Sequence, residues 1–511
     1  MVLGKPSPEI RPTSQYWHVS QSAELLAEFI ATPLDATLAG ADDEAAAQRG
    51  ALALFHSVAA EVPAYRRFLA EHGIQPDSIQ SFEDFQRLPL VTKANYHSRF
   101  ALHDLCRNGR LDANDFVAVS SGSTGQPTFW PRFITDELPI ARRFEQAFRD
   151  SFRADERRTL AVVCFALGTW VGGMFTASCC RHLAARGYPL TVASPGNNIG
   201  EILRVVQRLA PEFDQTVLLG YPPFLKDVID AGLASNLDWS TYHTRLVMAG
   251  EVFSEEWRTL VGQRMGSTDA CHDSVSLYGT ADAGVLGNET PLSVAMRRFL
   301  ARDPDAAREL FGESRLPTLV QYDPRSRFFE VRDGTLLFTG DNGIPLVRYH
   351  IADSGGLIPF ATMMDFMHAR GFTAPDLGDR GVRPLPFAYV FGRADFTISY
   401  FGANVFPENV TVGLEQPTIS RWCTGKFVMQ VREDDDRNTY LSIVVELASD
   451  VAADREKLDT IGDSILMNLR RLNSEFAHYV PTERQRPRIE LAPRGDPEYF
   501  PLGVKHRYTR R

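Results

Sequence analysis

Residues 189–250 alternate between two kinds of segment, and this alternation decides the fold. Short apolar segments rich in β-branched residues are separated by amphipathic segments of helical length: PLTVAS (189–194), IGEILRVVQRLA (199–210), QTVLLG (215–220), PPFLKDVIDAGL (222–233) and TRLVMAG (244–250). The first kind is typical of buried strands and the second of helices. Strands and helices that alternate at this spacing predict βα units and a mostly parallel sheet.

The same pattern extends on both sides, from about residue 115 to about residue 350. DFVAVS (115–120) and TLAVVCFAL (159–167) continue the strand-like segments. Before them, residues 21–74 have helical spacing, with Gly73 as a C-cap, so we expect a helical region at about 1–100. The sequence therefore predicts a large α/β domain.

The pattern changes after residue 395. KFVMQV (426–431) and TYLSIVVEL (439–447) flank a polar turn, and a long helical pattern begins at residue 455. This order predicts a small α+β module. The acidic run 433–436 lacks the spacing of a calcium loop, so we interpret it as a solvated hairpin turn.

Composition limits the class of protein. The chain has 511 residues, of which 44% are hydrophobic and 23% charged, and its net charge is −10. These values indicate a soluble globular protein and argue against nucleic-acid binding through a basic surface. Six cysteines without a C-x-x-C pair indicate neither a disulfide framework nor a zinc site, and no secretory signal is evident, so a cytoplasmic protein is expected.

Residues 160–180 imitate a membrane span because they carry no charge. Gly168, Gly172 and Gly173 interrupt this run, and we interpret it as a buried strand, a glycine turn and a helix, without a membrane partner. Cys179 and Cys180 within it are expected to be buried, inert thiols.

The segment SSGSTGQPT (120–128) carries the sharpest chemical signal. Glycines allow successive backbone N–H groups to face one anion, and the hydroxyls add donors, so the segment suits a phosphate cradle. It is not a Walker A loop, because G-x-x-x-x-G-K-[ST] is missing. An ordinary Ser/Gly/Pro-rich loop is the alternative.

Four further motifs follow in order: YGTAD (278–282), LVRYHIAD (346–353), GRAD (392–395) and GVKHR (503–507). Each has an ordinary structural interpretation when taken alone. Together with the phosphate loop they resemble the adenylate-forming superfamily of acyl-CoA synthetases, in particular its phenylacetate-CoA ligase branch. Further stretches carry the resemblance, so that it covers most of residues 62–505: VPAYRRFLAEHGI (62–74), SFEDFQRLPLVTK (81–93), ASPGNNIGEILRVVQRL (193–209), LVMAGEVFSEEW (246–257) and GANVFPENV (402–410).

The resemblance implies a nucleotide site. It implies that ATP phosphates are bound by four residues of the loop: Ser121, Ser123, Thr124 and Gly125. Thr280 would reach the α-phosphate, and Asp282 would hold Mg²⁺, a hard ion that prefers oxygen ligands. Lys505 would enter the site and neutralise charge.

The resemblance also implies how the nucleoside is held and how the chain moves. Backbone near Gly250 and Glu251 would flank the adenine, and Tyr278 would stack beside it. Asp353 would bind the ribose hydroxyls, and Arg393 would lie close to the nucleotide. Asp395 would be the hinge between a large domain, residues 1–391, and a mobile C-terminal lid, residues 392–511.

The resemblance places an acid pocket at Phe165, Trp170, Tyr221 and Ala249. Aromatic faces and aliphatic walls with almost no charge favour a small aromatic acid. The alternative is that Phe165 and Trp170 are only core residues.

Three positions depart from the pattern of the superfamily. Gln126 stands where relatives often have lysine, Asp282 where they usually have glutamate, and Phe396 where they often have a second acid. Residues 356–390 also look longer than the usual connection. These departures mark either a specialised or a degenerate member.

The sequence thus predicts an enzyme that uses ATP and Mg²⁺ to convert a carboxylic acid into an acyl-adenylate and then transfers the acyl group to coenzyme A. One alternative is an adenylating enzyme that transfers to an amine or another acceptor, or that activates a non-carboxylate acid. A second is a non-catalytic nucleotide-binding protein, against which Lys505 and Asp395 argue. A homodimer is compatible with the sequence.

Overall fold

A computed structural model describes residues 15–120, 128–169, 171–250, 252–313, 315–393, 398–400, 403–434, 439–473, 476–477, 480, 482–501 and 506–509. The helices in these ranges are α1 (Gln15–Ala31), α2 (Leu34–Leu38), α3 (Glu44–Glu61), α4 (Pro63–Glu71), α5 (Phe82–Gln86), α6 (Ile134–Gln146), α7 (Val171–Ala185), α8 (Ile199–Leu209), α9 (Pro222–Ala234), α10 (Glu255–Arg264), α11 (Pro291–Leu300), α12 (Pro304–Phe311), α13 (Phe360–Ala369), α14 (Pro407–Leu414) and α15 (Arg455–Leu472).

The strands are β1 (Phe116–Ser120), β2 (Thr128–Arg132), β3 (Thr159–Val163), β4 (Leu190–Ala193), β5 (Gln215–Gly220), β6 (Arg245–Ala249), β7 (Ser274–Thr280), β8 (Gly284–Asn288), β9 (Thr318–Gln321), β10 (Phe328–Arg332), β11 (Thr335–Gly340), β12 (Leu346–Ile358), β13 (Phe387–Arg393), β14 (Ile398–Tyr400), β15 (Ala403–Val405), β16 (Cys423–Glu433), β17 (Thr439–Leu447) and β18 (Arg488–Ala492).

A sheet of eleven strands forms the centre of the large part, in the order β10-β11-β12-β13-β9-β8-β7-β6-β5-β3-β4. The βα units predicted from the sequence form its parallel portion, from β4 to β7. From β7 through β8, β9, β13, β12 and β11 to β10, the neighbouring strands are antiparallel. The α/β class predicted for this domain is confirmed, and the sheet is mixed.

The parallel strands are buried on both faces. Leu160 and Val162 of β3 pack with α8 and α9 on one face, where Trp239 and Trp257 lie in the same core. Ala161 and Val163 point to the other face, into the core that contains Phe144 of α6 and Phe175 of α7. Because successive strand residues alternate between faces, the continuous apolar runs in the sequence reflect burial on both sides.

Strands β1 and β2 form a separate two-stranded antiparallel sheet. Ser120 pairs with Thr128 at its end, so the serine- and glycine-rich segment 121–127 connects the two strands. That segment lies outside the described residues. The predicted phosphate loop stands between β1 and β2 in the sequence, and its role stays a prediction.

The C-terminal part has its own core. Strands β16 and β17 pair antiparallel, β18 adds to β17 in parallel, and α14 and α15 pack against this sheet. The pair of strands and the long helix agree with the α+β pattern predicted from the sequence. Most of the turn between β16 and β17 (435–438) lies outside the described residues.

The apolar segment 160–180 contains most of β3 and the first part of α7, so the predicted strand and helix are confirmed. The prediction that Gly172 and Gly173 belong to the turn is wrong, because both lie within α7; only Gly168 lies between the strand and the helix. No helix in the described ranges is long and apolar enough to cross a membrane. Cys179 and Cys180 are fully buried, and burial raises the pKa of both thiols, that of Cys180 to about 12. The prediction of inert thiols agrees with this burial.

Candidate active site

Four of the described residues that the sequence predicts for the site lie at the carboxyl ends of the parallel strands. Phe165 follows β3, Tyr221 follows β5, Gly250 follows β6, and β7 ends at Thr280. In open α/β sheets this edge is where ligands bind, because loops can open a crevice there. The sheet also changes from parallel to antiparallel pairing at β7.

Tyr278 and Asp353 lie in direct contact although they belong to different strands. The Tyr278 hydroxyl donates a hydrogen bond of 2.8 Å to Oδ2 of Asp353. Both side chains are buried. Asp353 on β12 is also opposite Arg393 on β13, in the antiparallel register of these strands. The three residues that the resemblance assigns to the nucleoside therefore lie on β7, β12 and β13 of one sheet.

The backbone immediately before Asp353 is left-handed. Ala352 has φ of +65°, a conformation that an L-residue with a side chain adopts rarely and at a cost of about 1–2 kcal/mol. Such a backbone within a strand re-aims the next side chain. Strain of this kind is concentrated at functional sites when the surrounding structure holds it in place.

Asp282 is buried in the turn after β7 and has two close side-chain partners. Its Oδ1 lies 3.0 Å from the ammonium Nζ of Lys93, and its Oδ2 accepts a hydrogen bond from the hydroxyl of Tyr349. The Lys93 ammonium also lies 5.6 Å from the centre of the Trp130 ring on β2. A cation, a carboxylate and a phenol thus meet beside the hairpin that carries the serine-rich loop.

Lys93 reaches this position because the helical N-terminal region touches the large sheet. Val91 forms a parallel bridge with Tyr349, with hydrogen bonds of 3.2 Å to the carbonyl of Arg348 and 2.8 Å from the amide of His350. Thr92 then caps the short helical turn 93–97 through Asn95. Burial lowers the pKa of His97 in that turn, although Asp282 nearby opposes the shift.

The backbone of the turn 281–282 is held from below by buried side chains. Arg132 on β2 donates hydrogen bonds to the carbonyls of Ala281 (2.7 Å) and Asp282 (3.3 Å). Asn342 donates to the carbonyl of Asp282 at 3.3 Å. Thr280 closes the turn by accepting the amide of Ala283 on its Oγ1 at 3.1 Å. The turn that carries both Thr280 and Asp282 is therefore fixed on several sides.

An aromatic pair follows β3 and β5 at the same edge. The rings of Phe165 and Tyr221 are in edge contact, with centres 4.9 Å apart. Phe165 is buried in the core, whereas Tyr221 and Ala249 are half-buried beside it. Gly250 has φ of +83°, and a side-chain carbon there would stand 2.8 Å from the Tyr221 ring, so the ring packs directly on the backbone of this glycine.

Several predicted residues lie outside the described ranges. These are Ser121, Ser123, Thr124, Gly125, Trp170, Glu251, Asp395 and Lys505, together with Gln126 and Phe396. Arg393 is described by its backbone only. The roles predicted for all of these residues stay predictions.

Lys93, Arg132, Tyr349 and Asn342 were not assigned a role from the sequence. Lys93 and Tyr349 stand within stretches that carry the resemblance, VTK (91–93) and LVRYHIAD (346–353), but nothing in those letters indicates that they meet Asp282. Arg132 and Asn342 have no local signal at all. Their contacts join parts of the chain that are far apart in sequence.

The donor set around Asp282 suits a magnesium ion better than a transition metal. The described ranges contain no group of three or more His, Cys, Asp or Glu side chains that could hold a metal. Mg²⁺ typically takes one or two carboxylates and completes its shell with water and substrate phosphates. One carboxylate oxygen at the predicted phosphate site fits that pattern, and Lys93 would have to share or yield Oδ1.

Comparison with known proteins gives two kinds of match. Phenylacetate-coenzyme A ligase from Aromatoleum evansii is 23% identical over 389 residues, which span 76% of this chain and 77% of that protein. A protein of the same name from Thermus thermophilus is 24% identical over 355 residues, 68% of this chain and 70% of its own length. No known protein-family profile matches the chain.

The crystal structure of a 2-hydroxyisobutyryl-CoA ligase in the postadenylation state, in complex with R3-HIB-AMP, has a TM-score of 0.62 at 18% identity and covers 92% of this chain and 89% of its own. The chain is thus similar in sequence to acid-CoA ligases and shares its fold with one, so it resembles the AMP-forming acid ligases of the adenylate-forming superfamily. Within that superfamily the chain is phenylacetate-CoA ligase-like, as its sequence predicts.

Proposed function

We propose that the protein ligates a small aromatic carboxylic acid to coenzyme A in two steps. A carboxylate oxygen of the acid attacks the α-phosphorus of ATP, the bond to the bridging oxygen breaks, and acyl-AMP and pyrophosphate form. The thiol of coenzyme A then attacks the acyl carbon, loses its proton, and releases AMP. The contact of Tyr278 with Asp353, beside Asp282 at the carboxyl edge of the sheet, carries this proposal.

In the proposed complex each described residue has a task that its contacts support. Asp353 accepts the ribose hydroxyls on the carboxylate oxygens that Tyr278 orients. Thr280 offers its hydroxyl at the α-phosphate from a turn that is fixed in place. Lys93 lies where negative charge collects, because its partner Asp282 shares the turn with Thr280. Positioned charges and donors of this kind stabilise phosphoryl transition states without a protein nucleophile.

Magnesium, held through Asp282 and the phosphates, would neutralise charge on the phosphate oxygens. The segment 121–127 would add hydroxyl and amide donors from Ser121, Ser123, Thr124 and Gly125. Lys505 would complete the site for the first step, and rotation of the lid about Asp395 would remove it for the second. These roles are proposals from the resemblance.

The aromatic acid is proposed from the pair Phe165 and Tyr221. Phe165 is buried behind Tyr221, so the faces open to an acid belong to Tyr221 and Ala249, and Phe165 supports the Tyr221 ring in edge contact. Aromatic edge and face contacts contribute about 0.5–1.5 kcal/mol beyond the burial of their area. Tyr221→Ala should therefore weaken the binding of an aryl acid more than the binding of an aliphatic acid of similar length.

The test is acid-dependent exchange of labelled pyrophosphate into ATP over a panel of aryl, short aliphatic and long-chain acids. Coenzyme A or an amine is then added to each positive acid, and the acyl product is identified. We expect exchange with an aryl acid and a thioester product. Exchange with aliphatic acids alone, or an amide as the product, would replace the proposal by the corresponding alternative.

Matched variants separate the site from general damage. Asp282→Asn and Lys505→Ala should each lower the rate of pyrophosphate exchange by a factor of about 10²–10³. Asp214→Asn makes the same carboxylate-to-amide change at the opposite end of β5, where Asp214 pairs with Arg158 on the surface, and should retain exchange. Wild-type exchange by Asp282→Asn would remove Asp282 from the proposed site.

A further inference from the structure

Two pieces of the proposed phosphate and magnesium site belong to different sheets. The serine-rich segment joins β1 to β2 in the small hairpin, whereas Thr280 and Asp282 follow β7 in the large sheet. Backbone pairing between strands therefore cannot set the distance between them. Side chains that span the two sheets must contribute, and phosphate chemistry requires alignment within a fraction of an ångström.

Arg132 spans this junction. It is the last residue of β2, it is only 1% exposed, and its guanidinium donates to the carbonyls of Ala281 (2.7 Å) and Asp282 (3.3 Å). A second nitrogen lies 2.9 Å from Oδ2 of Asp136, which is itself fully buried near the start of α6. The planar fork of a guanidinium can hold several acceptors at once, which an ammonium cannot do with the same geometry.

The acceptors of Arg132 are themselves anchored. Asp136 Oδ2 accepts the amide of Gly343 at 3.3 Å, and the neighbouring Asn342 donates to the carbonyl of Asp282 at 3.3 Å. A side-chain carbon at Gly343 would stand 2.1 Å from the carbonyl oxygen of Pro131, so this turn lies directly against β2. The contacts form a closed ring that joins β2, α6, the turn after β7 and the turn before β12.

We propose that Arg132 is a positioning residue, which fixes the turn carrying Thr280 and Asp282 against the hairpin carrying the phosphate loop. Arg132 touches neither substrate nor metal; it acts through the carbonyls of Ala281 and Asp282. The effect of Arg132 on nucleotide binding rests on the proposed function. The ordering of the turn by Arg132 does not depend on that function.

The first measurement uses the protein without nucleotide. Hydrogen exchange of a peptide that contains Ala283, whose amide bonds to Thr280 Oγ1, should become at least about tenfold faster in Arg132→Met. The matched control is Arg142→Met. Arg142 is a buried arginine of α6 that pairs with Glu145 (2.6 Å) and holds the carbonyls of Phe29 and Thr32 (2.9 Å each). It should loosen the end of α1 and leave the Ala283 peptide unchanged.

The second measurement is calorimetric titration of a non-hydrolysable ATP analogue with and without Mg²⁺. Arg132→Met should reduce the gain in affinity due to Mg²⁺ by about 10–100-fold, the range typical for residues that orient a metal ligand. Metal-free binding should change by less than about threefold. Arg132→Lys, with charge but without the fork, should recover less than half of the loss on a logarithmic scale.

The outcomes decide separately about the inference and the function. The inference would be overturned if hydrogen exchange at the Ala283 peptide is the same in Arg132→Met as in wild type, or if Arg142→Met accelerates it equally. It would also be overturned if Mg²⁺ raises the affinity of Arg132→Met for the ATP analogue as much as that of wild type. If Arg132→Met does not fold, Asp136→Asn, which removes the anchor of the guanidinium, is judged by the same criteria. A wild-type protein that binds no ATP analogue contradicts the proposed function, and the exchange result still decides whether Arg132 orders the turn.

Discussion

At the scale of single residues, the hydrogen bond from Tyr278 to Asp353 is the most direct test of the nucleoside site. Tyr278→Phe keeps the ring but loses the hydroxyl that orients the carboxylate at 2.8 Å. We expect the affinity for a non-hydrolysable ATP analogue to fall at least about tenfold, equally with and without Mg²⁺, because a hydrogen bond to a charged group contributes about 1.5–3 kcal/mol. Titration calorimetry measures both values.

Tyr400→Phe is the matched control for this change. Tyr400 is also buried and also donates a 2.8 Å hydrogen bond, but to the carbonyl of Arg484 in the C-terminal part. It should lower stability without a change in nucleotide affinity. A tenfold loss in Tyr400→Phe as well would mean that the effect of Tyr278→Phe is a loss of stability.

Lys93 provides a second residue-scale prediction. The serine-rich segment has Gln126 where relatives often have lysine, and Lys93, from a distant part of the chain, brings an ammonium to Asp282. Lys93→Met should lower the affinity for the ATP analogue about tenfold or more, since charge-assisted hydrogen bonds to phosphate are among the stronger hydrogen bonds. Lys93→Arg should retain most of the affinity. Equal affinity in wild type and Lys93→Met would show that Lys93 serves only to neutralise Asp282.

At the scale of elements, the C-terminal tail docks on β16 beside the predicted catalytic lysine. His506 lies 2.7 Å from the carbonyl of Phe427 through Nε2, so this nitrogen carries the proton, and the amide of Met429 donates to the carbonyl of Tyr508 at 2.7 Å. Burial is the main cause that lowers the pKa of His506 to about 4. The neutral imidazole of His506 therefore anchors the chain to β16 at the position next to Lys505 in the sequence.

This contact predicts a pH dependence. Because the folded pKa lies below the unfolded value of about 6.5, the unfolded chain binds the extra proton first, and stability is lost as pH falls from about 6.5 towards 4. His506→Gln keeps a donor but cannot titrate, so its urea midpoint should decline less over this range than that of wild type. His103→Gln, at an exposed histidine, is the control. Identical pH profiles of wild type and His506→Gln would refute the prediction.

Local pattern predicted some elements of this protein well and others not at all. The βα units from β3 to β7 follow from continuous apolar runs, since burial on both faces leaves that trace in the sequence. The antiparallel half leaves no such trace, because β9 pairs with β13 far along the chain. Gln321 and Phe387, for example, become neighbours only when the chain folds. Lys93 and Arg132 were missed for the same reason: their partners are set by tertiary contacts.

At the scale of the whole molecule, polar contacts join the C-terminal part to the large part. Lys426 on β16 lies 3.0 Å from Asp227 on α9, and Arg315 lies 3.2 Å from Glu408 on α14. Glu415, after α14, accepts a hydrogen bond from Ser254, the N-cap of α10. Burial is the main cause that raises the pKa of Glu415 to about 8.

The raised pKa of Glu415 makes the stability of the protein fall as pH rises. The unfolded carboxyl loses its proton near pH 4.5, whereas the docked one keeps it until about 8, so stability falls as pH rises between these values. Glu415→Gln resembles the protonated form. Its melting temperature should match wild type at pH 5 and exceed it by several degrees at pH 8.5.

Glu456→Gln, at an exposed residue of α15, is the control for this comparison. A difference between Glu415→Gln and wild type that does not change from pH 5 to pH 8.5 would contradict the assigned burial of the carboxyl. If the difference grows with pH in the control as well, the effect is one of net charge.

The left-handed backbone at Ala352 has a consequence for laboratory evolution. Glycine tolerates φ of +65° and would relieve about 1 kcal/mol of strain, so Ala352→Gly is a change that selection for heat resistance should find early. The same change should make the orientation of the adjoining Asp353 side chain less precise. Variants recovered by thermal selection alone should therefore drift towards weaker nucleotide binding, and a screen that retains both traits should keep alanine at this position.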